Sequence, residues 1–259
     1  MEEITVTGLV VRETPLDDYD KLITVVTHEL GKITIKGKGV KSLKSKHVST
    51  TQLYSYNTYV LRKRKYYYIV DSEQKESFFG LRTELARLAL AAYIADICAD
   101  MSAEENPDEP ILRLTLNALY ALSQGKYTPS KVKAAFELKS AALSGLCPDL
   151  VACCVCGCYE ADAMYLDVMN GKIVCPKCRG AYVRGKLIDE DATADIYIKL
   201  SPAVLEAMRY IAYSDQKKML SFSLDDEDMT ELSRACEKYL INQLENDYYS
   251  LDFYKKVTE

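Results

Sequence analysis

The chain has 259 residues, 48% of them hydrophobic, enough apolar side chain for two or three packed domains and not the composition of a disordered tract. Its formal net charge of -5 excludes a uniformly basic surface, and nine cysteines point to metal or buried thiols rather than disulfides in an intracellular chain. The acidic start Met1-Glu2-Glu3 is unlike a signal-peptide head, and the most apolar stretch, Leu88 to Ala99, is broken by Asp96 and too short to span a bilayer.

The charge is segregated. Residues 1–78 hold 13 basic and 10 acidic side chains, net +3, whereas the remainder holds 20 and 28, net -8. Between Leu30 and Val70 there are ten Lys or Arg and no Asp or Glu.

In chain order, five short β-rich runs come first: 4–11, 21–27, 31–38, 54–61 and 66–70. In the third, Ile33 and Ile35 fall on one face and Lys32, Thr34, Lys36 and Lys38 on the other. Five strands in about seventy residues suit a small closed barrel of the OB type. Residues 39–50 form one long polar loop carrying Lys41, Lys44 and Lys46, and Arg62, Lys63, Arg64 and Lys65 fall at a hairpin tip. Such a surface attracts phosphates without reading sequence. Tyr54, Tyr56, Tyr59, Tyr66, Tyr67 and Tyr68 are interleaved with it. Bases stack on exposed aromatics, but strand alternation sends about half of these rings into the core. The plainer reading is a solvated lysine-rich edge that blocks sheet pairing.

From Phe78 the period lengthens to three and four residues through Ile97, as on a helix. Pro110 and Pro129 open further helices, Ser201-Pro202 caps another, and a last one is expected from about Glu227 to Asn246. The domains expected are therefore 1–76, the barrel; 77–148 with 200–259, helical; and 149–199, an insert. The fold class is α+β and multidomain.

The insert carries Cys153-x-x-Cys156-Gly157 and, after eighteen residues, Cys175-Pro176-Lys177-Cys178. Two such turns complete the closed four-thiolate tetrahedron of one structural Zn2+, which leaves no position for an activated water. Cys154 and Cys158 lie close enough in sequence to stay open as substitute ligands. Cys98 and Cys236 fall on helical patterns and read as core residues, and Cys147 as a bystander. No P-loop, nucleophile elbow, H-E-x-x-H or dinucleotide fingerprint is present, so no catalytic residue is assigned and a non-enzymatic protein is expected.

Particular segments go further. Gly8-Leu9-Val10-Val11-Arg12, Asp20-Lys21-Leu22 and Glu29-Leu30-Gly31-Lys32, then Phe136-Glu137-Leu138-Lys139, Gly145-Leu146-Cys147-Pro148-Asp149-Leu150, Leu200-Ser201-Pro202 and Ser250-Leu251-Asp252-Phe253, resemble the RecO family of bacterial recombination mediators along the whole chain. The resemblance implies a cytoplasmic, nucleoid-associated protein that binds single- and double-stranded DNA, anneals complementary strands and, with RecR, helps RecA replace SSB. The DNA-binding residues expected are Arg12, Lys32, Lys36, Lys38, Lys41, Lys44, Lys46, Arg62, Lys63, Arg64 and Lys65. Arg82, Arg87, Arg113, Lys131, Lys133 and Lys139 are candidates for receiving the acidic SSB tail. The basic loop is richer in lysine than family members often are, which keeps charge but loses the bidentate fork. A zinc-stabilised interaction scaffold with incidental DNA contact is the alternative. A thiol redox protein using Cys175 and Cys178 would need a βαβ setting that the pattern lacks.

Overall fold

The computed structural model describes residues 3–184 and 197–258. Residues 185–196, inside the expected insert, lie outside the described residues. Backbone packing divides the chain into two compact units, 1–126 with 248–259, and 127–247. That division runs through the helical part of the chain, between its second and third helices.

In the first unit, β1 (Glu3–Pro15), β2 (Lys21–Thr27), β3 (Gly31–Gly37), β4 (Tyr56–Lys63) and β5 (Tyr67–Glu76) close in the order β1-β2-β3-β5-β4. β1 serves two neighbours. Its first half pairs with β4 and its second with β2, and a register shift between Val10 and Arg12 bends it from one to the other. Closure comes from a short parallel match of β3 to β5, Ile35 beside Tyr67 and Lys36 beside Tyr68. Val6, Val10, Ile23, Val25, Ile33, Ile35, Tyr59, Leu61 and Tyr67 fill the interior. β1 and β5 run several residues past the β-rich windows because their far ends face outward and take polar residues such as Glu13 and Glu73.

The helical period after Phe78 does not start a helix there. Phe78 adopts the left-handed conformation (φ 46°) ahead of a 3-10 turn, Phe79–Thr83. Gly80 approaches the Ser123 carbonyl so closely that a Cβ would lie 2.0 Å from its oxygen. α1 (Leu85–Met101) therefore begins later, and α2 (Glu109–Gln124) follows with Asp108 as its N-cap. A final helix that the pattern misses, α7 (Tyr249–Thr258), packs on α1 through an edge-to-face contact of Tyr93 and Tyr248 and a bond from Ser250 Oγ to Asp96.

The second unit contains α3 (Pro129–Leu143), α5 (Pro202–Tyr213) and α6 (Asp226–Leu244), capped by Thr128, Ser201 and Asp225. β6 (Met164–Asp167), β7 (Lys172–Val174) and β8 (Tyr197–Leu200) form a sheet in the order β7-β6-β8, and α4 (Pro176–Arg184) follows β7. Among the described residues no helix is long and apolar enough to cross a membrane.

Candidate nucleic-acid interface and metal centre

Strict alternation on β3 buries Ile33 and Ile35 and turns Lys32, Thr34 and Lys36 outward. With Lys38 just beyond, the row of cations runs about 20 Å at roughly 3.3 Å per residue. β5 lies alongside and repeats the alternation. Tyr67 enters the core, whereas Tyr66 and Tyr68 stay half-exposed, with Lys38 5.4 Å from the centre of the Tyr68 ring and Lys65 5.7 Å from that of Tyr66. Of the six tyrosines read from the sequence, Tyr54, Tyr59 and Tyr67 are buried and Tyr56, Tyr66 and Tyr68 are not. The Tyr59 hydroxyl donates to Thr50 O at 2.5 Å, and burial pushes the Tyr54 phenol up to about 12.

The basic loop is held to the β1–β2 turn. Asp17 Oδ1 accepts from the Tyr19 and Asp20 N–H groups, which hold its carboxyl below the usual range. Gly39 N donates to Asp20, Lys41 N to Tyr19 O, and the Lys41 ammonium to Asp17 O at 2.5 Å. His47 meets Ser72 on β5 at 2.6 Å.

The cations expected to bind DNA are not without acidic neighbours. Arg12 pairs with Asp96 at 3.2 Å, Lys36 with Asp20 at 3.3 Å, Lys46 with Asp71 at 3.2 Å, Arg62 with Glu3 at 2.5 Å, and Lys63 with Glu105. Lys32 donates to the Ala99 carbonyl at 2.7 Å. Lys38, Lys41, Lys44, Arg64 and Lys65 make no ion pair with a described residue. Lys32 and Lys36 of the expected cations thus share the outward face of β3, whereas Arg12 lies on β1 and Arg62 and Lys63 on β4, and nearly half of the eleven already carry a carboxylate.

The six cations considered for an acidic tail also separate. Lys133 is buried between Glu137 at 3.0 Å and Glu237 at 2.7 Å, and Lys139 is buried with its ammonium on Ala212 O and Ser214 O. Arg82 bonds Ser77 O and Leu53 O, Arg87 pairs with Glu84, Arg113 with Glu109, and Lys131 reaches Phe222 O.

In the second unit the two cysteine turns converge. The Sγ atoms of Cys153, Cys156, Cys175 and Cys178 all lie within 4.8 Å of one another. Four sulfurs at about 2.3 Å from one ion would stand about 3.8 Å apart, and Cys156 and Cys175 are 3.7 Å apart. Gly157, at φ 71°, turns the chain after the first pair, and Cys154 N bonds Ile173 O to tie that turn to β7. Burial disfavours a Cys153 thiolate, but N–H groups of Cys175, Cys156 and Val155 point at its sulfur and bring it down to about 6. Cys156 and Cys175 push the Cys178 thiol up to about 12. A metal takes such sulfurs as thiolates, so binding here would release protons from the group. Cys154 is exposed and Cys158 donates to Glu160 O, and neither joins the group. Cys98 and Cys236 are buried in helices.

Arg209 on α5 anchors this segment, and the sequence reading missed it. Its guanidinium donates to Leu150 O at 2.8 Å, Val151 O at 2.9 Å and Tyr159 O at 3.1 Å, and stacks 4.0 Å from the Tyr159 ring centre. An arginine within the apolar stripe of an amphipathic helix was the available signal.

Two family models cover nearly all of the chain: Recombination protein O N terminal matches residues 1–78 and Recombination protein O C terminal residues 82–252. The DNA repair protein RecO of Acetivibrio thermocellus is 32% identical over 98% of this chain and 97% of its own length. Those of Alkaliphilus metalliredigens (25% identical; 96% and 98% covered) and Caldicellulosiruptor bescii (27%; 98% and 99%) are similar end to end. The strand-rich N-terminal region, the helices after it and the four-cysteine group at 153–178 fit together with these matches, and the chain belongs to the RecO family of DNA repair proteins.

Proposed function

We propose that the barrel binds single- and double-stranded DNA by its phosphates and anneals complementary strands, and that with RecR the protein helps RecA replace SSB on single strands. The observation that carries this is the row of outward cations on β3 beside half-exposed Tyr66 and Tyr68, in a chain from a family of DNA repair proteins. Ammonium groups along one strand edge screen the repulsion of two backbones, and base pairing then supplies the free energy. No nucleotide hydrolysis enters, and the protein acts without catalysing a reaction. Contact with five phosphates of a single strand gives a log K against log salt slope of roughly -3.5. One structural Zn2+ on Cys153, Cys156, Cys175 and Cys178 organises the insert. Of the candidates for receiving the acidic SSB tail, Arg82, Arg87 and Arg113 in the first unit and Lys131 in the second remain as alternatives, because Lys133 and Lys139 are buried and bonded within the second unit.

The test is strand annealing without ATP, with and without SSB. Changing Lys38, Lys44 and Arg64 to Glu reverses charge where no ion pair with a described residue is lost. Annealing should be abolished with the fold intact, and unchanged annealing would overturn the assignment. The scaffold alternative is favoured by one observation, the carboxylates already seated on Arg12, Lys36, Lys46, Arg62 and Lys63. Negligible affinity for labelled single strands even at low salt would decide for it.

A further inference from the structure

In the first unit a cleft of about 410 Å³ is lined by cations, among them Lys32, Lys63 and Arg64, and by the carboxylates of Asp100, Glu104 and Glu105. The segment carrying Glu104 and Glu105 is fastened to the barrel. Lys32 N donates to Ala103 O at 3.0 Å and Glu105 N to Lys32 O at 3.3 Å, so the connection between α1 and α2 forms a one-residue parallel bridge on β3. Gly31 makes room for it: a Cβ there would lie 2.3 Å from the Asn106 carbonyl oxygen. The Lys32 ammonium caps Ala99 O at the end of α1 and holds the connection from its other side.

This fixed backbone delivers one carboxylate to two donors. Glu105 Oε1 accepts from the Lys63 ammonium and, at 3.2 Å, from the Tyr67 hydroxyl. A cation and a phenol converging on a single anionic oxygen form the donor set that a backbone phosphate uses. Lys63 and Glu105 are 57% and 59% exposed, so a competing anion can reach both. Each holds the other in its charged form, Lys63 raised and Glu105 lowered from their ordinary ranges by their mutual hydrogen bond.

We propose that Glu105 is a built-in phosphate mimic that occupies Lys63 and Tyr67, so that a DNA strand enters this cleft only by displacing its carboxylate. The inference rests on the proposed DNA binding and adds its regulation. A polyanion already held by Lys38, Lys44 and Arg64 brings further phosphates to the cleft at high local concentration, whereas a lone phosphate does not. The contact therefore favours long strands over short ones.

The experiment measures the affinity of the full chain for a labelled oligothymidylate over a range of salt. Glu105→Gln keeps the shape and an acceptor oxygen but removes the charge that holds Lys63. Affinity should rise about two- to fivefold, the modest scale of an exposed pair, and the salt slope should steepen by about 0.7, one further phosphate. In a Lys63→Ala background the same change should gain nothing. Glu109→Gln, which removes another exposed and paired carboxylate of the same unit, should gain less than Glu105→Gln. An equal gain from Glu109→Gln, a gain that survives Lys63→Ala, or no gain at all would overturn the proposal. Failure of the unaltered protein and every variant to bind at low salt would instead overturn the DNA-binding reading beneath it.

Discussion

Along β3 every second side chain enters a common apolar interior, and β1, β2, β4 and β5 add theirs, so the barrel is held by a continuous core. In β6, β7 and β8, three or four residues each, strand burial supplies far less. To a few buried residues such as Leu166 and Ile173 the cysteine-bearing segment adds a small number of polar and sulfur contacts: four thiols in one group and Arg209 on three carbonyls. A barrel with many small contributions loses little when one is removed. A segment held at a few points loses most of its order with any of them. The difference also separates their roles, since the proposed DNA contacts all lie on the barrel.

Removing the proposed Zn2+ should give the largest effect. Structural zinc in small modules contributes apparent folding free energies of roughly 10 kcal/mol or more, and chelators unfold them. Chelation, or Cys156→Ser, should release one equivalent of zinc and open residues 149–184 to protease, while single-strand affinity changes less than about twofold. Comparable loss of DNA binding would break the comparison, because it would make the cysteine group part of the interface. Arg209→Met comes next. It keeps much of the stem but leaves the Leu150, Val151 and Tyr159 carbonyls without that donor, at a cost of about 3 kcal/mol. Chemical denaturation should show the loss as earlier unfolding of the cysteine-bearing segment, with the barrel transition in place. A uniform shift of both would mean that the two regions unfold as one.

Local chemistry made much of this legible in the sequence. Ile33 and Ile35 against Lys32 and Lys36 spell out the pleat of β3, and the C-x2-C spacing marks the four sulfurs that meet. Ser201, ahead of a proline, caps its helix as expected. Non-local pairing stayed hidden. Nothing in the acid-free window reports that Glu3 and Glu105 come from elsewhere to seat on Arg62 and Lys63. Lys133 and Lys139 read as surface cations because burial beside Glu237 or the α5 carbonyls depends on packing, not on period. The expected last helix stops close to where α6 does, at Glu245 with its left-handed φ of 50°, and the short α7 beyond it was not read as a helix at all.

Acid weakens both regions, through different groups, and the smaller effect is on the barrel. In the cysteine group, falling pH would protonate the thiolates and release the proposed Zn2+. In the barrel the responsive group is His47, which burial and then the Lys46 ammonium hold below its ordinary value of 6.5, against the pull of Asp71. The folded protein therefore prefers the neutral imidazole, and the unfolded chain takes the proton first. The resulting stability is fully present above the unfolded pKa, near 6.5, and is lost as pH falls through it toward the depressed folded value. His47→Asn retains an acceptor and donor for Ser72 but cannot titrate. Melting of the zinc-loaded protein between about pH 7.5 and about pH 5.5 should show a smaller drop in this variant than in the unaltered chain, with the two curves converging at the acid end. Equal drops would assign the whole acid sensitivity to the thiolates and leave the barrel insensitive to pH in this range.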